Sequence, residues 1–558
     1  MTSSSTYSRL LVAIAALGGL LYGYDLGIIG AALLYLDKCV HLSESEVGLL
    51  ASAIFIGSLA SSFLGGALSD WLGRKKALII SAIFFCLSVV LIVMSWNFYS
   101  LFAGRLLQGL SAGMIAVVVP VFMTECAPAK TRGISATVFQ LCITLGIAVA
   151  MAAGAYYQGS VDDQVAQVAG DAAKIFSIQD HAWRQMFFSS IWPAVVFLVV
   201  AFLVAESPRW LFRRGRKEEA RKVLLLGRDA ATVDLELREM EEVSGTAAST
   251  HAKHDSLLQR HYLLPLALAV FLMGINQATG ICAVFTYPVL MLNQAGLSES
   301  AAAHTGVWLA LTNFVTTIAG VLLVDRLGRK MLLKIGTGII LVALSVGVLT
   351  FWKVEKDRVD VKAELQAAVK DNRLEFPVAA KNGAPMQLSV QFAYDGQEQV
   401  KLVRSDAKEP VLVLAPGAQA KPGAKLEILR AKLSSAPGES TGYTAFACLI
   451  LYIVGFAFGP GVCLWLMSAE LLPTRIRSLG MGLGLLANSG VTVATTKYFL
   501  PIVGDYGYSA MWGIWALGTL IYFLFAAFIL PETKGKTLEE IEACFANANR
   551  DSTGKQLG

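Results

Sequence analysis

The chain has 558 residues and a mean hydropathy of +0.59; 55% of its residues are apolar and only 16% are charged. Soluble domains carry about a quarter charged residues, so this composition excludes a soluble enzyme, a disordered chain or a nucleic-acid-binding domain and points to lipid as the solvent. Forty-six Lys and Arg against 41 Asp and Glu leave a net charge of +5, too small and too dispersed for a nucleic-acid surface.

A bilayer core of about 30 Å needs about 20 apolar helical residues. Twelve stretches qualify, near residues 10–36, 47–69, 77–95, 98–123, 133–157, 185–205, 262–287, 303–324, 335–352, 443–467, 478–496 and 508–530. The first is too long for a signal peptide and reads as a retained helix. With the N-terminus inside, the inner loops hold 27 Lys and Arg and the short outer loops 3, while 14 more lie in one long outer segment that escapes the rule. Both termini are therefore expected in the cytoplasm. The eight cysteines are scattered singly, which indicates neither disulfides nor a zinc site, and no metal or cofactor is expected.

Internal repeats organise the chain. Asp70-Trp-Leu-Gly73-Arg74-Lys75 after the second span recurs as Asp325-Arg-Leu-Gly328-Arg329-Lys330 after the eighth. Glu125, Pro128 and Arg132 after the fourth span recur at the same offsets as Glu470, Pro473 and Arg477 after the tenth. Glu206-Ser-Pro-Arg209 and Pro531-Glu532-Thr-Lys534 correspond more loosely. These repeats predict an all-α membrane protein of two six-helix bundles in parallel repeat, 1–205 and 261–352 with 443–530, an arrangement known for secondary transporters. They also locate an outer insertion, 353–442, whose alternating stretches predict a helical start and a small β-rich domain. A charged, helical central loop (206–260) and a short tail (531–558) are expected in the cytoplasm.

The motifs Gly23-Tyr-Asp25, the two Asp-x-x-Gly-Arg-Lys loops, Gly104-Arg105, Glu125 to Gly133, Glu206-Ser-Pro-Arg-Trp210, Gly459-Pro460-Gly461 with Trp465, and Pro531-Glu-Thr-Lys-Gly-Lys536, in this order, resemble the sugar porter family of the major facilitator superfamily. The resemblance covers all twelve spans and leaves out only the insertion. It implies a monomeric carrier in the cell membrane that moves a sugar or polyol by alternating access, with Gly459, Pro460 and Gly461 as a hinge. In that scheme Arg74, Arg132, Arg209, Arg329 and Arg477, with Asp70, Glu125, Glu206, Asp325, Glu470 and Glu532, form a cytoplasmic gate whose ion pairs close with that face.

An ionisable group at the bilayer centre costs at least about 2.5 kcal/mol, so each needs a partner or a role. Asp25 and Arg105 fall at nearly the same depth on opposed helices. Burial favours the neutral acid and the cation favours the carboxylate, so such a pair can act as a proton switch. The resemblance assigns Asp25 and Arg105 to the coupling pair of proton-linked sugar porters, with Ser190 standing where some members carry a second acid.

Side-chain amides bind sugar hydroxyls because they donate and accept at once, and an aromatic ring covers the apolar sugar face. The resemblance assigns Asn276, Gln277, Asn313, Trp465 and Asn488 to the substrate, with Gln140 facing the same region. Ile147, Cys282, Thr286 and Ser489 replace four polar or aromatic family contacts, so the hydroxyl pattern read here should differ from that of glucose or xylose. No phosphate-binding loop is present to power transport with ATP. A sugar sensor on the same fold would be expected to carry a longer tail. Deleting residues 356–440 is expected to leave uptake intact.

Overall fold

In the computed structural model, the residues described are 2–40, 42–126, 132–168, 171–230, 232–238, 240, 260–380, 384–394, 397–406, 410–414, 425–473 and 476–534. The first half comprises α1 (Thr2–Val40), α2 (Glu44–Leu72), α3 (Arg74–Val93), α4 (Phe98–Cys126), α5 (Arg132–Gln167), α6 (Ala172–Phe188) and α7 (Ile191–Leu203). Short helices α8 (Pro208–Arg213) and α9 (Lys217–Leu224) start the linker. The second half contains α10 (Arg260–Gln277), α11 (Ile281–Thr286), α12 (Pro288–Gln294), α13 (Glu299–Leu327) and α14 (Arg329–Glu355) before the insertion. After it come α16 (Glu439–Phe458), α17 (Pro460–Leu471), α18 (Arg477–Lys497), α19 (Phe499–Tyr506) and α20 (Tyr508–Leu524), the last ending in a π turn over Phe525–Ile529. The insertion itself opens with α15 (Lys362–Ala368).

Among the described residues, ten helical segments are long and apolar enough to cross a bilayer, and α2, bent by 44° after Ser61, makes an eleventh if counted as one span. The remaining stretch of the sequence count is α18, a helix rich in Gly, Ser, Thr and Asn that packs against α10 and α2 of the opposite half. Its Gly, Ser and Thr residues lower its hydropathy, and it is not among these eleven. Elsewhere large apolar side chains such as Leu87, Val90, Val199, Phe202, Leu322 and Leu349 face outward, as lipid permits.

Small residues set the closest helix approaches. Gly19, Gly23 and Gly27 recur every fourth residue on α1, and a Cβ at Gly23 would lie 1.9 Å from the Ile143 carbonyl of α5. The backbones of α1 and α5 therefore touch along this stripe, the small-xxx-small solution to packing without a hydrophobic drive.

The apolar core is shared at one end only. Where α14 leads into the insertion, Ile28, Leu36, Leu50 and Met151 of the first half join Val284, Met291, Leu309 and Trp515 of the second in one cluster. At the opposite end, where the repeated loops lie, Phe85, Phe122 and Phe197 belong to a cluster of the first half, and Leu272, Leu333 and Met467 to one of the second. The halves thus meet at the insertion end and keep separate cores at the motif end.

The insertion is a small α/β unit. Strands β1 (Val359–Asp360), β3 (Met386–Tyr394), β4 (Gln397–Arg404) and β6 (Leu426–Ser435) form an antiparallel sheet in the order β1-β6-β3-β4, and β2 (Leu374–Pro377) pairs with β5 (Val411–Leu414). Leu365, Leu388, Val390, Leu412 and Ile428 build its own core, to which no bundle residue contributes. Its opposite face mixes Gln387 and Ser389 with exposed Val400 and Leu402, and its chain ends are tied to the second half. Arg430 pairs with Asp505 at 2.9 Å, and Arg358 donates to the Gly504 carbonyl at 2.9 Å. Burial lowers the Arg358 guanidinium from its ordinary value, and the hydrogen bond from Lys432 holds Asp360 below the usual carboxylate range.

Candidate functional site

Helix α1 reaches the bilayer interior as one unbroken rod, and the glycine stripe presses it onto α5. This places Asp25 against α4. Arg105 Nη1 donates to Asp25 Oδ1 at 2.5 Å and to Gln108 Oε1 at 2.8 Å, and Asp25, Arg105 and Gln108 have no exposed surface. The guanidinium lies 5.6 Å from the Phe187 ring of α6. Asp25 Oδ2, Arg105 Nε and Nη2 and Gln108 Nε2 have no hydrogen-bond partner among the described residues. Gln108 is absent from the sequence-derived site; its signal was available in its position one turn beyond Arg105, where i and i+3 side chains meet. At the position where Ser190 replaces a family acid, the chain breaks between α6 and α7, and neighbouring Ser189 hydrogen-bonds the Tyr24 hydroxyl.

The seventh span is interrupted where the residues expected to meet the substrate lie. After Gln277, α10 ends; Gly280 takes φ +89° and α11 begins at Ile281. A Cβ at Gly280 would sit 2.3 Å from the Trp515 ring, so glycine is needed for both conformation and space. Non-helical backbone at membrane depth persists only where protein or a cavity surrounds it. Asn276 is buried, donates weakly to Tyr522 Oη at 3.4 Å and leaves Oδ1 without a described partner. Gln277 Oε1 accepts from Cys282 Sγ at 3.3 Å, and Asn488 Nδ2 donates to the Met273 carbonyl at 3.1 Å, one turn below. Asn488 of α18 thus lies about one turn from Asn276 and Gln277 along α10, while Asn276 turns to Tyr522 of α20.

Cys282 and Tyr22 pack against the same small cluster of Ile54, Phe55 and Ala112. The break in α10–α11 thus adjoins the turn of α1 that precedes Asp25. Asn313 is buried on α13 and Trp465 is partly exposed on α17, but no described hydrogen bond joins their side chains, or that of Gln140, to the three amides. The tenth span breaks at Gly459, with α17 starting at Pro460, and a Cβ at Gly459 would lie 2.4 Å from the Leu332 carbonyl of α14.

The repeated loops are built around helix N-termini. Gly73 takes φ +100°, and Glu206 Oε1 accepts the N–H groups of Arg74 at 2.8 Å and Lys75 at 3.1 Å. Gly328 takes φ +89°, and Glu532 accepts those of Arg329 and Lys330, each at 3.2 Å. A carboxylate there satisfies free backbone donors and complements the helix dipole. Arg74 also clamps Glu125 with two bonds of 2.9 Å and Asp70 at 2.7 Å, while Arg329 reaches Glu470 at 3.2 Å. All of these pairs lie within one half. Arg209 is exposed, and the side chains of Arg132, Asp325 and Arg477 lie outside the described residues.

The model of the family described as "Sugar (and other) transporter" matches residues 11–367 and 425–545, and the gap falls inside the insertion. The chain belongs to the sugar porter family of the major facilitator superfamily. Among this family's members, the glucose transporter GlcP of Staphylococcus epidermidis is 28% identical over 96% of both chains. The human proton myo-inositol cotransporter is 28% identical over 96% of this chain and 81% of its own. Two structures of the xylose transporter XylE from E. coli share the fold. A partially occluded inward-open form has a TM-score of 0.66 at 21% identity, covering 95% of this chain and 100% of that one. The form bound to 6-bromo-6-deoxy-D-glucose has a TM-score of 0.67 at 22% identity, covering 97% and 100%. This sugar porter is a multi-span membrane transporter, not an enzyme. As such it needs a route between its halves, and the break beside Asn276 lies where the shared core gives way to the separate ones.

Proposed function

We propose that this sugar porter carries a monosaccharide or related polyol into the cell by alternating access, coupled to protons through Asp25 and Arg105. The observation that carries the coupling is the fully buried Asp25–Arg105 bond, which spends a charge pair at membrane depth where an apolar contact would cost less. The names of relatives, a proton myo-inositol cotransporter and a proton:xylose symporter, support the same class. Asn276, Gln277 and Asn488 would meet the hydroxyls together with Asn313 and Trp465 of the same half, and Gln140 of the first half would be brought in as the halves close on substrate. The cytoplasmic face is the motif end, with both termini on it. Each carboxylate-capped loop keeps the cytoplasmic end of its own half rigid, and the broken helix at Gly459–Gly461 gives the second half its hinge.

The test is uptake into proteoliposomes from a panel of labelled sugars and polyols, with and without an imposed pH gradient. Accumulation above equilibrium only with the proton gradient supports symport. Gradient-independent equilibration would make the protein a uniporter, and no uptake of any candidate would remove the carrier reading.

A further inference from the structure

Arg105 is a permanent cation in a site without exposed surface, and a guanidinium can only donate. Its two described acceptors, Asp25 Oδ1 at 2.5 Å and Gln108 Oε1 at 2.8 Å, share the same nitrogen, Nη1. They differ in charge and in attachment. Asp25 is a carboxylate on α1, whereas Gln108 is a neutral amide on α4, one turn from Arg105 and moving with it. If Gln108 were only glue between helices, its amide nitrogen would be bonded to a neighbour, yet Nε2 is buried without a described partner. Among the described residues, the amide is anchored by the guanidinium alone.

We infer that Gln108 is the standing acceptor that keeps Arg105 satisfied on α4 when Asp25 takes up a proton, a positioning residue that sets how readily the switch is thrown. This rests on the proton-coupled reading. A proton from water on the open side joins the Asp25 carboxylate, giving a neutral acid; the ionic bond to Nη1 is lost, the bond from Nη1 to Gln108 Oε1 remains, and the proton leaves to water on the other side. Among the described residues, Tyr22 interacts with Asp25 and with Cys282 of α11, Tyr24 beside it bonds the Ser189 hydroxyl and lies near Tyr157 of α5, and the Phe187 ring faces Arg105. Phenols and thiols are ordinarily neutral at physiological pH, so none supplies Arg105 with a substitute charge.

The experiment measures proton-driven uptake in proteoliposomes across external pH, normalised to sugar counterflow, for wild type, Gln108→Leu and Gln108→Glu. Removing the acceptor binds Arg105 more firmly to Asp25, so Gln108→Leu should move the pH of half-maximal uptake down by about one unit, a tenfold higher proton demand. Gln108→Glu neutralises Arg105 from the other side and should move it up by about as much. Opposite shifts are what a purely structural role does not produce. No shift, or shifts in one direction, in a wild type that is itself proton-driven would overturn the role of Gln108 alone. A wild type without proton drive overturns the coupling reading beneath it. If Gln108→Leu does not fold, Gln108→Glu decides, an unmoved or lowered midpoint being the contrary result.

Discussion

Arg105 donates to Asp25 at 2.5 Å across the α4–α1 contact, and neither side chain has any exposed surface. Removing one partner of such a pair costs about 3–5 kcal/mol when the other charge is left buried and alone. The two single substitutions are therefore not equivalent. Arg105→Leu strands a carboxylate, whereas Asp25→Asn leaves Arg105 with a neutral acceptor on either side. The melting temperature in detergent should fall further for Arg105→Leu, and that variant should recover stability as pH is lowered, because protonation removes the stranded charge. Equal losses without pH dependence would show that the pair is not electrostatically balanced as described.

The capped loops give a second test. A Cβ at Gly73 would meet Glu206 Oε2 at 2.2 Å, and one at Gly328 would meet Glu532 at 3.0 Å. Both glycines combine positive φ with ψ of 159° and 155°, a region essentially reserved for glycine, and forcing another residue there adds about 1–3 kcal/mol. Gly73→Ala and Gly328→Ala should each lower thermal stability, with Gly73→Ala the worse. Because the caps share no partner and sit in different halves, the double variant should show the sum of the two losses. Marked non-additivity in a thermal shift assay would mean that the two loops are coupled across the halves after all.

The insertion should be removable if it is cut at the right place. Val359 pairs with Leu433, so its two ends are neighbours, and its core is its own. A cut from 356 to 440 would take Arg358 with it, and Arg358 holds the Gly504 carbonyl of α19. Replacing residues 361–429 with a short Gly-Ser linker, which keeps both Arg358 and the Arg430–Asp505 pair, should therefore retain uptake within about twofold. The longer deletion should lose more, measured as initial uptake rate per folded carrier.

Replacing an amide that pairs with a sugar hydroxyl leaves a polar group unmet and costs about 1–3 kcal/mol, so Asn276→Ala and Gln277→Ala should raise the KM for the transported sugar about tenfold or more. The counterflow assay with the sugar identified from the panel checks this. An unchanged KM for both would place the substrate elsewhere between the halves.

Much of this was legible in the sequence because it is written in spacing. The repeated Asp-x-x-Gly-Arg-Lys loops, the matching Glu, Pro and Arg offsets, and the interval between Asp325 and Glu470 are one-dimensional facts that survive folding. The depth of Asp25 and Arg105 followed from counting helix rise along two opposed spans. The partners of the gate residues were harder, since Glu206 lies 132 residues from Arg74 and its bond goes to backbone N–H groups that no side-chain pattern advertises. A third cap was missed for the same reason. Glu355 accepts from the N–H groups of Tyr508 at 2.7 Å and Ser509 at 3.0 Å beside Gly507, at φ +92°, without the Arg-Lys pair that made the other two recognisable. The break at Gly280 had a signal in Ala278-Thr-Gly280, but its cause is the Trp515 ring, which only the fold brings there. The stripe at Gly19, Gly23 and Gly27 was also readable and fixes how α1 presents Asp25.

The most direct measurement is sugar accumulation by wild type and Asp25→Asn in proteoliposomes under an imposed inward proton gradient, with counterflow at uniform pH in the same vesicles. The expected result is that wild type concentrates its sugar only with the gradient, while Asp25→Asn exchanges sugar across the membrane without concentrating it. An Asp25→Asn variant that still accumulates sugar against its gradient would contradict the coupling role of the Asp25–Arg105 pair.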